Sequence, residues 1–168
     1  FILFSVLKAA NITLFLILPL VMLSVPWWQV LIAYSCMHIV AGISISIVFQ
    51  LAHLVENVHF LEPDREGNMT HNWAVHELLT TSDFARDNKV VTTLVGGLNF
   101  QVEHHLFPMV SHCHYPALSK IVEATAKEYQ IPFNEQSTFF KAIKSHFVIL
   151  KKLGAGARSL YTEEQLKF

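Results

Sequence analysis

The chain has 168 residues, 52% of them hydrophobic and only 15% charged, with a formal net charge of −1. Ordinary soluble domains carry about 25% charged residues, so this composition argues against a typical soluble globule. The near-neutral balance also excludes the basic field that nucleic-acid partners require.

The charge is unevenly placed. Residues 1–52 contain a single charged side chain, Lys8, and the next is Glu56. This predicts an apolar part, 1–52, forming a two-span transmembrane hairpin, and a polar part, 53–168. Ile12–Val25 is apolar apart from Thr13 and Ser24, and Phe1–Leu7 extends the segment. As a helix it covers the roughly 30 Å of a bilayer core, with Lys8 near one end and able to snorkel. Val30–Ala52 is a second run of sufficient length, and its Gly42, Ser44 and Ser46 allow close helix approach in lipid. Pro26-Trp27-Trp28-Gln29 reads as the turn, with both tryptophans at the aromatic belt. That turn has no Lys or Arg, whereas Lys8, Arg65, Arg86 and Lys89 flank the other ends. The positive-inside rule therefore predicts an integral membrane protein whose polar part faces the cytosol. Cys36 and Cys113 form no disulfide framework, which agrees with a reducing compartment.

In the polar part, Glu62–Asn68 is turn-rich and Asn72–Thr81 reads as a short helix. Gly96-Gly97 breaks the chain. Pro116 suits the start of a helix that continues over Ala117–Tyr129, and Asn134 is predicted to cap a further helix running to about Leu153. The expected fold class is thus all-α integral membrane, a transmembrane helical hairpin followed by a helical cytosolic cap.

The strongest chemical signal is Gly96-Gly97-Leu98-Asn99-Phe100-Gln101-Val102-Glu103-His104-His105-Leu106-Phe107-Pro108. A bare His-His pair is more often structural than functional, but the longer string is specific. Imidazole is a good iron ligand. Gln101 lies one helical turn before His104, and Glu103 is a candidate to orient a ligating ring.

Gln101-x-x-His104-His105 followed by Phe107-Pro108 resembles the third histidine box of the membrane fatty acid desaturases. The Gln variant is similar to the front-end branch, which acts on acyl-lipids or acyl-CoA. Gly97-Leu98-Asn99-Phe100 before the box and His112-x-His114-Tyr115-Pro116 after it also look family-like, so the resemblance covers nearly the whole chain. It implies a di-iron centre with Gln101, His104 and His105 among the metal ligands. It also implies O2 as cosubstrate and an electron donor of cytochrome b5 or ferredoxin type.

The family's two earlier boxes, of the His-x3–4-His and His-x2–3-His-His types, do not occur in these residues. Together with Phe1 in place of an initiator Met, this predicts a fragment that assembles only part of the site. The resemblance further implies a ligand at the cytosolic end of the last span, the position of His53. Glu56, three residues on, and Asn57 are candidates to bond that ring. His76, in Asn72-Trp73-Ala74-Val75-His76, resembles an Asn-x-x-x-His motif but lies far from the span, and ranks below His53.

The other histidines have plainer readings. His38 reads as a helix-packing residue, His59 and His71 as solvated, and His146 as a surface residue. His112 and His114, on either side of Cys113, read as supports of the box. Two rival functions are compatible with these residues. One is a sibling di-iron membrane hydroxylase, and the other a non-enzymatic haem-binding hairpin using His38 and His53.

Overall fold

The computed structural model describes residues 1–156. It divides into two units, Phe1–Ser46 and the residues from Ile47 onward.

In the first unit, α1 spans Ile2–Ile12 and continues through a wider π-type turn, Thr13–Ile17, into α2, Leu18–Met22. Pro19, in the first turn of α2, has no amide to donate back to the preceding turn. A π turn at that position accommodates the lost bond. Leu23–Pro26 reverses the chain and α3 begins at Trp27. Trp27 and Trp28 therefore belong to the first helical turn rather than to the connection expected from sequence. Pro26 itself starts the helix, its carbonyl accepting from the Gln29 amide at 3.0 Å.

Helix α3 runs Trp27–His53. Ile2–Met22 and Trp27–His53 are each long and apolar enough to cross a bilayer, both with mean hydropathy 2.0. Their side chains are largely uncovered, Ile39, Val40, Ile43 and Ile45 being more than half exposed. Such surface is stable only against lipid or other apolar segments. Within the unit, Tyr34 donates to Asn11 Oδ1 at 3.4 Å, and the His38 ring lies edge-on to Tyr34 at 4.4 Å. Cys36 and Cys113 are both unpaired.

The second unit contains α4 (Trp73–Thr80), β1 (Asp83–Phe84), α5 (Lys89–Leu94), α6 (Gln101–Leu106), α7 (Tyr115–Glu128), β2 (Glu135–Gln136) and α8 (Phe139–Gly154). β1 and β2 pair in parallel, Asp83 opposite Glu135. The purely helical expectation is corrected here by a two-residue ladder, too short to show any alternating pattern.

Two apolar clusters organise the unit. Leu51, Phe84, Ala85 and Ala142 pack together with Phe139 and Ile143, joining the end of α3 to β1 and α8. Leu78, Val102, Val122 and Ala126 pack with Leu106 and Leu118, joining α4, α6 and α7. Polar ties reinforce them. Lys152 Nζ meets Glu56 Oε1 at 2.7 Å, and His146 Nδ1 bonds the Leu54 carbonyl at 2.8 Å. His146 thus fastens α8 to the end of α3 instead of facing solvent. Arg86 bonds Glu123 Oε2 and Ser119 Oγ, each at 2.9 Å, pairs with Glu135, and lies over the Phe133 ring.

The expected Asn134 cap is also corrected. Thr138 caps α8 by accepting from the Lys141 amide at 3.2 Å. Asn134 is buried, and its Nδ2 donates to the carbonyls of Leu78, Leu79 and Thr81 at 3.0, 3.3 and 3.3 Å. These are the carbonyls that the end of α4 leaves without helical partners.

Candidate metal centre

The histidine box becomes a short helix, α6. The chain enters it through Gly96 and Gly97, with φ of +62° and +81°, a region that glycine reaches without strain. At Gly97 a side chain is also excluded by space, since a Cβ there would stand 2.8 Å from His112 Cβ. The His112–His114 turn therefore packs against the entry to the box. Asn99, fully buried, holds this loop by donating to Thr92 Oγ1 at 3.1 Å while its carbonyl accepts from the Phe84 amide at 3.0 Å.

Phe100, at the N-cap position, provides no capping side chain. The cap comes from β1, where Asp83 Oδ1 accepts from the Val102 amide at 3.0 Å. Both Asp83 and Glu103 are fully buried. Burial raises the Asp83 carboxyl well above its usual range, and the neighbouring Glu103 adds to this. Burial likewise raises Glu103.

On α6, Gln101 Nε2 lies 3.2 Å from His105 Nε2. His105 Nδ1 lies 2.8 Å from Glu77 Oε2, and His53 Nδ1 lies 3.5 Å from the Thr80 carbonyl oxygen. The His53 and His105 rings stand 5.0 Å apart, and those of His104 and His105 5.8 Å apart. His104 Nδ1 is 3.3 Å from the Tyr115 hydroxyl. Partial burial, with His105 beside it, lowers the His104 imidazole from its ordinary value, which favours the neutral form that binds metals. The α3 terminus and α6 thus bring His53, Gln101, His104 and His105 into one neighbourhood.

The three residues expected to support these rings are placed differently. Glu103 lies beside Asp83, and among the described residues no hydrogen bond joins its carboxylate to an imidazole; neighbours one and two apart on a helix do not share a face. Glu56 follows the last turn of α3 and pairs with Lys152, so helical spacing from His53 does not apply to it. His76 lines a cavity of about 350 Å³ together with His53, His59, Val58 and Thr80. Its Nδ1 is buried with no hydrogen-bond partner among the described residues. Glu77 and Asp83, which no local sequence pattern singles out, and Tyr115, from the family-like stretch after the box, are among the described residues that hydrogen-bond to the box helix.

Among the described residues no group of three or more His, Cys, Asp or Glu side chains is arranged to hold a metal ion. The arrangement nonetheless fits part of an imidazole-rich centre. Two rings meet at close range with their Nδ1 atoms engaged by oxygen acceptors, as ligating histidines commonly are.

Fold and site together define the class: a mostly helical chain with two helices of membrane-spanning length and an imidazole cluster at the end of the second. The chain belongs to the fatty acid desaturase family, whose model matches residues 3–137. It is 34% identical over 157 residues to the sn-1 linoleoyl-lipid 6-desaturase of Arthrospira platensis, covering 94% of this chain and 42% of that protein. It is 41% identical over 121 residues to the acyl-lipid (8-3)-desaturase of Physcomitrium patens, covering 72% and 25%. Against the acyl-lipid (8-3)-desaturase of Mortierella alpina the identity is 38% over 139 residues, covering 83% and 31%. The chain therefore spans a quarter to two fifths of these relatives' lengths. No solved structure matches it.

Proposed function

We propose that this chain is part of a membrane-embedded, di-iron, O2-dependent fatty-acyl desaturase of the front-end type. His53, Gln101, His104 and His105 are its metal-binding residues. The observation that carries this reading is the meeting of His53 and His105, one from the end of an apolar helix and one from the histidine box, 5.0 Å apart. Family membership and relatives named as acyl-lipid desaturases support it.

Removing two hydrogens from an unactivated acyl chain is beyond any side chain, so a bound iron pair would supply O2 activation. In balance, the saturated C–C unit loses two hydrogens and becomes a double bond. O2, two electrons and two protons, together with those hydrogens, leave as two waters. The electrons come from a donor of cytochrome b5 or ferredoxin type.

The protein's own contribution is position. The apolar helices hold the acyl chain in lipid, and the α3 terminus places the cluster where that apolar segment ends. The imidazoles of His53, His104 and His105 would present ring nitrogens to the metal there. In this reading the active site lies at the cytosolic face of the membrane and the second unit in the cytosol, as the placement of Lys and Arg in the sequence supports. An acyl-lipid substrate is favoured over acyl-CoA by the relatives' names.

Purified full-length protein is expected to carry a di-iron complement and no haem absorbance. A Soret band with stoichiometric haem would overturn this reading in favour of a haem-binding module built on His38 and His53.

A further inference from the structure

We propose that Glu77 is a positioning residue for the metal centre: its carboxylate accepts the Nδ1–H of His105 and so fixes which ring nitrogen faces the metal. The inference rests on His105 being a ligand, as argued above, and assigns a partner to it.

Glu77 lies 28 residues before His105 in the chain, yet its Oε2 is 2.8 Å from Nδ1. The contact is sheltered, with side-chain exposures of 17% for Glu77 and 31% for His105. The other side of the ring points to the same tautomer. The Gln101 amide nitrogen, 3.2 Å from Nε2, can only donate, so Nε2 accepts and the ring proton resides on Nδ1. That proton is directed at Glu77, and the Nε2 lone pair, which accepts from Gln101 in this structure, is the one a metal would take in its place.

The helix carrying Glu77 is held firmly enough to impose this geometry. Asn72 caps α4 by accepting from the Val75 amide at 3.0 Å, and Leu78 and Leu79 are buried beneath it. The last carbonyl of the same helix, at Thr80, is the group that faces His53 Nδ1. One short helix therefore addresses both imidazoles, through a side chain and through its terminal backbone. The carboxylate also makes the ring a stronger donor to a metal than a neutral acceptor would.

The test uses full-length protein, wild type against Glu77→Ala and Glu77→Gln. Two readouts are needed: 15N chemical shifts of the His105 ring in metal-free protein, and titrated iron affinity with the Mössbauer parameters of the loaded protein. Wild type is expected to show the Nδ1–H tautomer. Glu77→Ala should mix the tautomers and weaken iron binding roughly 10–100-fold. Glu77→Gln, whose Oε1 still accepts, should restore the tautomer and most of the affinity while shifting the Mössbauer parameters.

An Ala variant with the wild-type tautomer and iron affinity would overturn the proposal. So would an affinity loss that tracks only the loss of folded protein by thermal unfolding. A wild type that takes up no iron would instead overturn the proposed function, and the tautomer readout would still decide the positioning role.

Discussion

His105→Ala in the full-length protein is expected to reduce desaturation at least 100-fold, and His104→Ala the same, with both variants inserting into membranes normally. Losing even an outer partner of a ligand commonly costs about 10–100-fold, and loss of the ligand itself should cost more. The fold should tolerate either change. Both imidazoles are only partly buried, whereas the anchors of α6 are Val102 in the apolar cluster and the Asp83 cap. Alanine is also the best helix former. The check is fatty-acid product analysis together with membrane fractionation of the same cells. A variant that inserts and still turns over would remove that histidine from the ligand set.

Asp83→Ala is expected to lower the stability of the second unit by about 2–3 kcal/mol, and Asp83→Asn by less than about 1 kcal/mol. The alanine variant leaves the Val102 amide buried without its acceptor, which carries the desolvation cost of an unmade hydrogen bond. It also removes the side chain that, among the described residues, caps the box helix. Asparagine keeps the accepting oxygen and can turn an N–H toward Glu103. That replaces a carboxyl pair whose charged forms burial already disfavours. Thermal unfolding of the purified protein in detergent separates the two variants. Equal losses for both would show that the carboxylate's charge, rather than the cap, is what matters.

The contrast between these residues and the box shows what could be read in advance. The two long apolar helices, the break at Gly96-Gly97, the short helix α4 and the helix that starts near Pro116 all arise from runs of neighbouring residues. Local pattern was enough to find them. His53 and the box were paired through a resemblance, and the structure places their rings together.

The supporting residues were harder to see, for physical reasons. Glu77 and Asp83 reach α6 across separations of 28 and 19 residues. No periodicity records a contact of that kind. Glu103 adjoins His104 in sequence, but adjacency on a helix turns side chains apart. Asn134 offered the chemistry of an N-cap just ahead of an apolar helix. Thr138, four residues later, offers the same chemistry and takes the position, which frees Asn134 to bind the carbonyls at the end of α4.

The most direct test of the central claim is the product made by the full-length protein in a host lacking such an activity. Mass spectrometry of the fatty acids is expected to show a species lighter by two hydrogens, carrying one additional double bond and no added oxygen. A hydroxylated or epoxidised product would place the protein among the oxygen-inserting relatives of this chemistry. An unchanged profile from a membrane-inserted, iron-loaded protein supplied with acyl-lipid substrate and a working electron donor would contradict the desaturase reading itself.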